Sequence, residues 1–212
     1  MNLLTVSIVK CVLSLLFCLN LFSAATRLSL RGKFNSSEFV HKLTNRTVNL
    51  NHIYSATLDE MPTLSGEKLS YSFTTLEPCS MNSFHLHPRA SELLFVIEGE
   101  NLQVGFIEEN GGRTILNNIE AGHATLYPKG LIHFEHNLGC AQVRYLSAMN
   151  NDDPGLIIII NRVLEFPSLA MQTTFNVSQC QYLNLKNNLP VNQLVNGMED
   201  CKKRCNKKKR WV

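Results

Sequence analysis

Cys79-Ser-Met-Asn-Ser-Phe-His-Leu-His-Pro-Arg-Ala-Ser-Glu-Leu-Leu-Phe-Val-Ile-Glu-Gly99 is the stretch on which the fold turns. His85 and His87 are two apart, so on a β-strand both imidazoles leave the same face. Pro88 forbids an unbroken interior strand, and Glu92 has the opposite parity, so the chain turns between them. That turn brings the Glu92 carboxylate, on the next strand, back over the two rings. Two neutral nitrogens and a carboxylate are three ligands for a hard-to-borderline divalent ion. A further imidazole comes about forty residues on, in Gly122-His-Ala-Thr-Leu-Tyr-Pro-Lys-Gly-Leu-Ile-His-Phe-Glu-His-Asn137. There Pro128-Lys129-Gly130 reads as a turn and His133 opens the following strand. His133, Glu135 and Asn137 share one face of it, so two more polar groups enter the same interior.

The spacings are His-x-His-x4-Glu-x6-Gly and Gly-x5-Pro-x-Gly-x2-His-x3-Asn. Together they resemble the paired motifs of the cupin superfamily. The fuller strings at 87–92 and 128–134, with Asp153-Pro154-Gly155, resemble germins and germin-like proteins in particular, and spherulins as a neighbouring group. The resemblance covers roughly residues 35–190. It implies an all-β fold, an antiparallel jelly-roll cupin β-barrel with short C-terminal α-helices. It also implies a manganese ion (Mn2+, with another divalent metal as the alternative) held by His85, His87, Glu92 and His133. A six-coordinate ion with four protein ligands keeps two places for water, oxygen or a chelating acid.

Some germins oxidise oxalate and others act as superoxide dismutases, which makes Asn82 and Glu92 the candidate catalytic residues. The oxalate oxidases place an asparagine three residues before the first ligand histidine, where this chain has Asn82, and another on the preceding strand, where it has Ser72. The opening glycine of the first motif is Cys79 here. These departures weigh against oxalate oxidation and leave dismutase activity the more favoured of the two. The alternative is a secreted storage, structural or ligand-binding cupin of the spherulin kind, without turnover.

Residues 1–25 hold one charge, Lys10, and an apolar run from Cys11 to Phe22, followed by Ser23-Ala24-Ala25. They read as a secretory signal peptide. Of seven cysteines, five then remain, Cys79, Cys140, Cys180, Cys201 and Cys205, so at least one is free or pairs between chains. Germins carry a disulfide in the N-terminal segment, which residues 26–78 cannot form. Cys180 with Cys201 or Cys205 is one way to tie down the tail, and the connectivity stays open. Sequons at Asn35, Asn45 and Asn176 fit an exported glycoprotein, extracellular in location.

The formal charge is +3, and taking away Lys10 and the seven cations of residues 201–212 moves it to −5. A mildly acidic domain thus ends in a basic tail. A solvated end is the simpler reading; contact with an anionic polysaccharide or membrane headgroups is the sharper one. Nothing points to a nucleic-acid partner. An N-terminal arm (26–52), a barrel (53–166), a helical segment (167–195) and the tail (196–212) complete the organisation. Asn110-Gly111-Gly112 marks a hairpin, Leu156–Ile160 reads as a last apolar strand, and Ser178 as a helix cap. By resemblance, the C-terminal helices join copies into a homo-oligomer, a hexamer. A small anionic substrate completes the expected partners.

Overall fold

The computed structural model describes residues 36–40, 51–190 and 192–209. The expected signal peptide, most of the N-terminal arm, the sequons at Asn35 and Asn45 and residues 210–212 lie outside them. After a short 3-10 turn at Ser36–Phe39, the chain is a succession of antiparallel strands. One sheet runs in the order β1 (His52–Ala56), β2 (Ser70–Leu76), β9 (Val143–Met149), β4 (Glu92–Glu98), β7 (Ala124–Tyr127). The other runs β10 (Ile157–Ile158), β3 (Met81–Leu86), β8 (His133–Asn137), β5 (Leu102–Ile107), β6 (Thr114–Ile119), with β11 (Leu194–Val195) also on β3.

Alternation along the strands fills the space between the sheets. In β4, Glu92, Leu94 and Val96 are buried while Leu93, Phe95 and Ile97 face out. Leu76, Leu94, Val96, Leu102, Val104, Tyr127, Val143 and Tyr145, drawn from both sheets, form one core. Gly99 closes the turn after β4 at φ +105°, and a Cβ there would sit 2.7 Å from the Val143 side chain. Only glycine fits that corner.

Antiparallel order sorts the chain ends of the strands. His85, Glu92 and His133 lie at the end of β3, the start of β4 and the start of β8. Cys79, Gly99 and Cys140 flank the other ends of the same strands, so they gather at the opposite end of the barrel.

Leu156–Ile160 is not one strand. Only Ile157 and Ile158 pair, with Leu86 and His85, and a helix, α1 (Ile159–Val163), begins at once. Further along that edge of β3, the Ser83 N–H bonds the Gln193 carbonyl, and Met81 and Asn82 pair with β11. Helices α2 (Ser168–Phe175) and α3 (Gln179–Asn188) follow, α3 opened by a capping box between Ser178 and Gln181. They share a small core of Leu164, Met171 and Tyr182.

The cysteine pairing differs from the one considered on sequence. Cys180 is the exposed free thiol, while Cys79 pairs with Cys201 and Cys140 with Cys205. Both bonds fix a folded helix, α4 (Glu199–Lys209), across the end of the barrel away from His85 and His133. Through Lys209, then, the basic tail is a helix docked on the barrel and not the solvated end expected from its charge. Glu199 and Asp200 open α4, where their charge favours the positive end of its dipole. Cys79 sits at φ +67°, the left-handed conformation that its motif position reserves for glycine, and its disulfide holds it there.

Candidate metal centre

One ligand atom each from His85, His87, Glu92 and His133 lies within 4.8 Å of the others. The sequence named these four, and the structure brings all four together. His87 Nε2 is 3.1 Å and His133 Nε2 3.3 Å from Glu92 Oε2. His85, Glu92 and His133 are each 3% exposed or less, deep enough that an uncompensated charge is costly.

Each imidazole is held by its other nitrogen. His85 Nδ1 bonds the Ser83 carbonyl at 2.7 Å, His133 Nδ1 that of Leu131 at 2.8 Å, and His87 Nδ1 that of Gly155 at 2.6 Å. A carbonyl only accepts, so each Nδ1 carries the hydrogen and each Nε2 keeps its lone pair. That is the tautomer a metal-binding histidine needs. Tyr127 stacks on His133 at 4.2 Å and fixes its plane. The buried Glu92 Oε2 and His133 Nε2 lack any hydrogen-bond partner, which fits a divalent cation among them.

Without a cation, the buried carboxylates decide the protonation preferences. Burial, then the neighbouring His133, pulls His85 down to about 3, so it stays neutral. Burial pushes the Glu92 carboxyl up, but the His133 and His87 rings beside it outweigh that and hold it below the usual carboxylate range. His133 is moved up despite burial, chiefly by the neighbouring Glu92 and Glu135 carboxylates.

Asn82 reaches the same interior by a local irregularity. Three residues from His85, it would face the opposite side of a regular strand. The register of β3 against β8 shifts by one between Asn82↔Glu135 and His85↔His133, a β-bulge that turns both side chains inward. Asn82 Nδ2 donates to Glu135 Oε2 at 2.7 Å and to Tyr145 Oη at 3.4 Å, and the Tyr145 hydroxyl donates to the same Glu135 oxygen at 3.3 Å. Sequence parity pointed to Glu135 as inward-facing; nothing in the sequence pointed to Tyr145. Burial, then the Glu92 charge, pushes Glu135 up to about 7. Asn137, the other inward residue of β8, ties the far end instead: its amide donates to the Leu76, Glu77 and Ala141 carbonyls.

The centre opens into a cavity of about 340 Å³ whose walls include Ser72, Thr74, Asn82, Tyr145 and Ser147, with Asp59, Glu60 and Asp153 nearer the mouth. No lysine or arginine lines it among the described residues.

A closed antiparallel barrel with three imidazoles and a carboxylate at one end defines a class of metal-binding β-barrel. The chain belongs to the cupin family, whose model matches residues 42–182. It is similar to Spherulin-1A of Physarum polycephalum, 35% identical over 145 residues, 68% of this chain and 58% of that one. It is also similar to Germin-like protein 9-3 of Oryza sativa subsp. japonica, 34% identical over 107 residues, 50% of this chain and 49% of the relative. The chain thus spans between about half and six-tenths of these relatives. Among solved structures, a recombinant oxalate oxidase in complex with glycolate superposes with a TM-score of 0.67 at 24% identity, covering 74% of this chain and 83% of the other. Procruciferin, an 11S globulin of Brassica napus, superposes over 74% of this chain and 41% of its own with 0.65 at 17% identity. These two likenesses show the fold alone.

Proposed function

We infer that this is an exported germin-like cupin that holds a manganese ion through His85, His87, Glu92 and His133 and acts on a small oxygen species, as a superoxide dismutase does. The observation that carries the reading is the convergence of three histidine Nε2 lone pairs on the buried Glu92 carboxylate. Manganese bound there supplies redox chemistry and a place for a small ligand. The chain's own residues orient the rings, keep His85 neutral and leave one cavity as the approach. Oxalate oxidation is disfavoured, because both Asn82 amide hydrogens are already engaged and Ser72 offers a single hydroxyl.

Two disulfides fit export from the cell. The apolar strip Leu93, Phe95, Ile97 and Leu126 on paired strands β4 and β7 is the face for a second copy, within the hexamer that germin resemblance implies. The basic α4 is the face for an anionic polysaccharide.

A second reading, a binding or storage cupin without turnover, is favoured by the similarity to Spherulin-1A and by the hydroxyl-lined cavity. Metal analysis of the purified secreted protein, joined to superoxide dismutation and oxalate-dependent oxygen uptake, separates the readings. Stoichiometric manganese with dismutation and no oxalate turnover is expected. Stoichiometric metal with neither activity selects the binding reading, and robust oxalate turnover overturns both.

A further inference from the structure

Asn82, Tyr145 and Glu135 form a closed triangle behind the metal centre, at 2.7, 3.3 and 3.4 Å. All three are buried, Glu135 fully. Every hydrogen the triangle offers is consumed within it: both amide hydrogens of Asn82 and the hydroxyl hydrogen of Tyr145. Glu135 Oε2 accepts from both partners. A proton on this carboxyl would sit on Oε1, leaving Oε2 the acceptor, so the orientation of Asn82 is the same in either state.

What remains unpaired is informative. Asn82 Oδ1, Glu135 Oε1 and Ser147 Oγ are buried without a hydrogen-bond partner, and Asn82 and Ser147 line the cavity. Asn82 Oδ1 only accepts, as does Glu135 Oε1 when ionised. Around them stand the Ser72 and Thr74 hydroxyls, with the exposed Asp59, Glu60 and Asp153 carboxylates, the last paired with Arg89, and no lysine or arginine lining the cavity among the described residues. Such a wall offers a dicarboxylate hydroxyl hydrogens but none from Asn82, and sets its oxygens against a buried acceptor and carboxylates, where acceptors left unpaired are costly.

We propose that Glu135 is the specificity-determining residue of this cavity: by locking Asn82 with its carbonyl oxygen free, it selects a neutral, hydroxyl-bearing ligand, a vicinal diol or small polyol, over a dicarboxylate. This deepens the metal-centre reading and rests on it. The cavity volume of about 340 Å³ accommodates a ligand of that size beside the ion. Glu135 acts through Asn82, as a positioning residue.

The test uses the full secreted protein loaded with Mn2+ and measures displacement of metal-bound water by proton relaxation, with glycerol and oxalate as probes. In Glu135→Leu, an apolar side chain of similar size removes the acceptor that locks Asn82, so Asn82 is free to reverse and present its hydrogens. The ratio of oxalate to glycerol affinity is expected to rise roughly tenfold or more, the range for a hydrogen bond to a charged group. Tyr145→Phe, which frees one amide hydrogen, shifts the ratio the same way by less. Metal content by mass spectrometry is read in parallel: wild-type protein that takes up no manganese refutes the metal assignment itself. Full metal content with an unchanged ratio in both variants refutes this inference alone. If Glu135→Leu does not fold, Tyr145→Phe decides by the same ratio.

Discussion

Three backbone carbonyls set the histidine tautomers at the metal centre, so each ligand can be tested singly. His-x-His, Glu92 and His133 carry their parity in the sequence, but the carbonyls of Ser83, Leu131 and Gly155 that set the tautomers do not, since backbone acceptors have no residue signature. Replacing His85, His87, Glu92 or His133 by Ala is expected to remove most bound metal in each case, measured as metal per chain; full stoichiometry in any variant would show that residue is not a ligand. Glu135 gives a second expectation, for the protein stripped with chelator. Its carboxyl titrates near 7 when folded against an ordinary 4.5, so folding favours the protonated form. The stabilisation is complete below 4.5 and is lost as pH rises through 7. Glu135→Gln should therefore stabilise the metal-free protein at pH 8, by about 3 kcal/mol, and change little at pH 4. Urea unfolding at the two pH values measures the difference; a variant gaining equally at both contradicts the assignment.

At the scale of elements, strands were legible wherever one face is wet. The alternation that marks β4 and β9 is the pattern of half-buried strands, and the glycine corners fixed the turns between them. The bulge in β3 was illegible, because one extra residue has no compositional mark, and with it the reason Asn82 and His85 both face inward. The run at 156–160 misled for a similar reason: its apolar residues say it is covered, while the edge of β3 available to it decides how much becomes strand. Two cysteine pairs linking positions 122 and 65 residues apart were beyond reach of spacing. They give a prediction. Cys201→Ser with Cys205→Ser removes both disulfides and should cost roughly 2–5 kcal/mol in stability for each, since each bond closes a long loop. Metal content should stay intact at room temperature, because α4 covers the other end of the barrel. Loss of metal in that variant would mean the two ends are coupled. Ser178→Ala should loosen α3 by about 1 kcal/mol, seen as faster amide exchange in residues 179–188.

The whole molecule presents two unlike surfaces, a basic helix and an apolar strip, and each sets an expectation. For α4, retention on a polyuronate column should fall steeply with salt, and reversing Lys202, Lys203 and Lys207 to Glu should abolish it while the metal remains. Salt-insensitive retention would point to some other contact. The strip carries the larger consequence. Leu93, Phe95, Ile97 and Leu126 are 44–55% exposed, and Leu93 lies directly across from Leu126 in the β4–β7 ladder. On strands whose inner residues are fully buried, four large apolar side chains facing water on one continuous face are more than scattered exposure. Covering half of each with a copy of the same face contributes on the order of 1 kcal/mol per side chain, several in total per partner. That is enough to favour association at micromolar concentration if the surrounding contacts are neutral. Paired strands displaying the same residues make a self-complementary patch, the geometry of a two-fold contact. Sedimentation of the purified protein should show an oligomer built from such pairs, a hexamer if the germin resemblance holds at this level. Leu93→Glu with Phe95→Glu should dissociate it without removing metal, since both side chains point away from the Glu92 face of β4. A wild-type monomer at micromolar concentration rejects the assembly, and an unchanged oligomer in the double variant places the contact elsewhere.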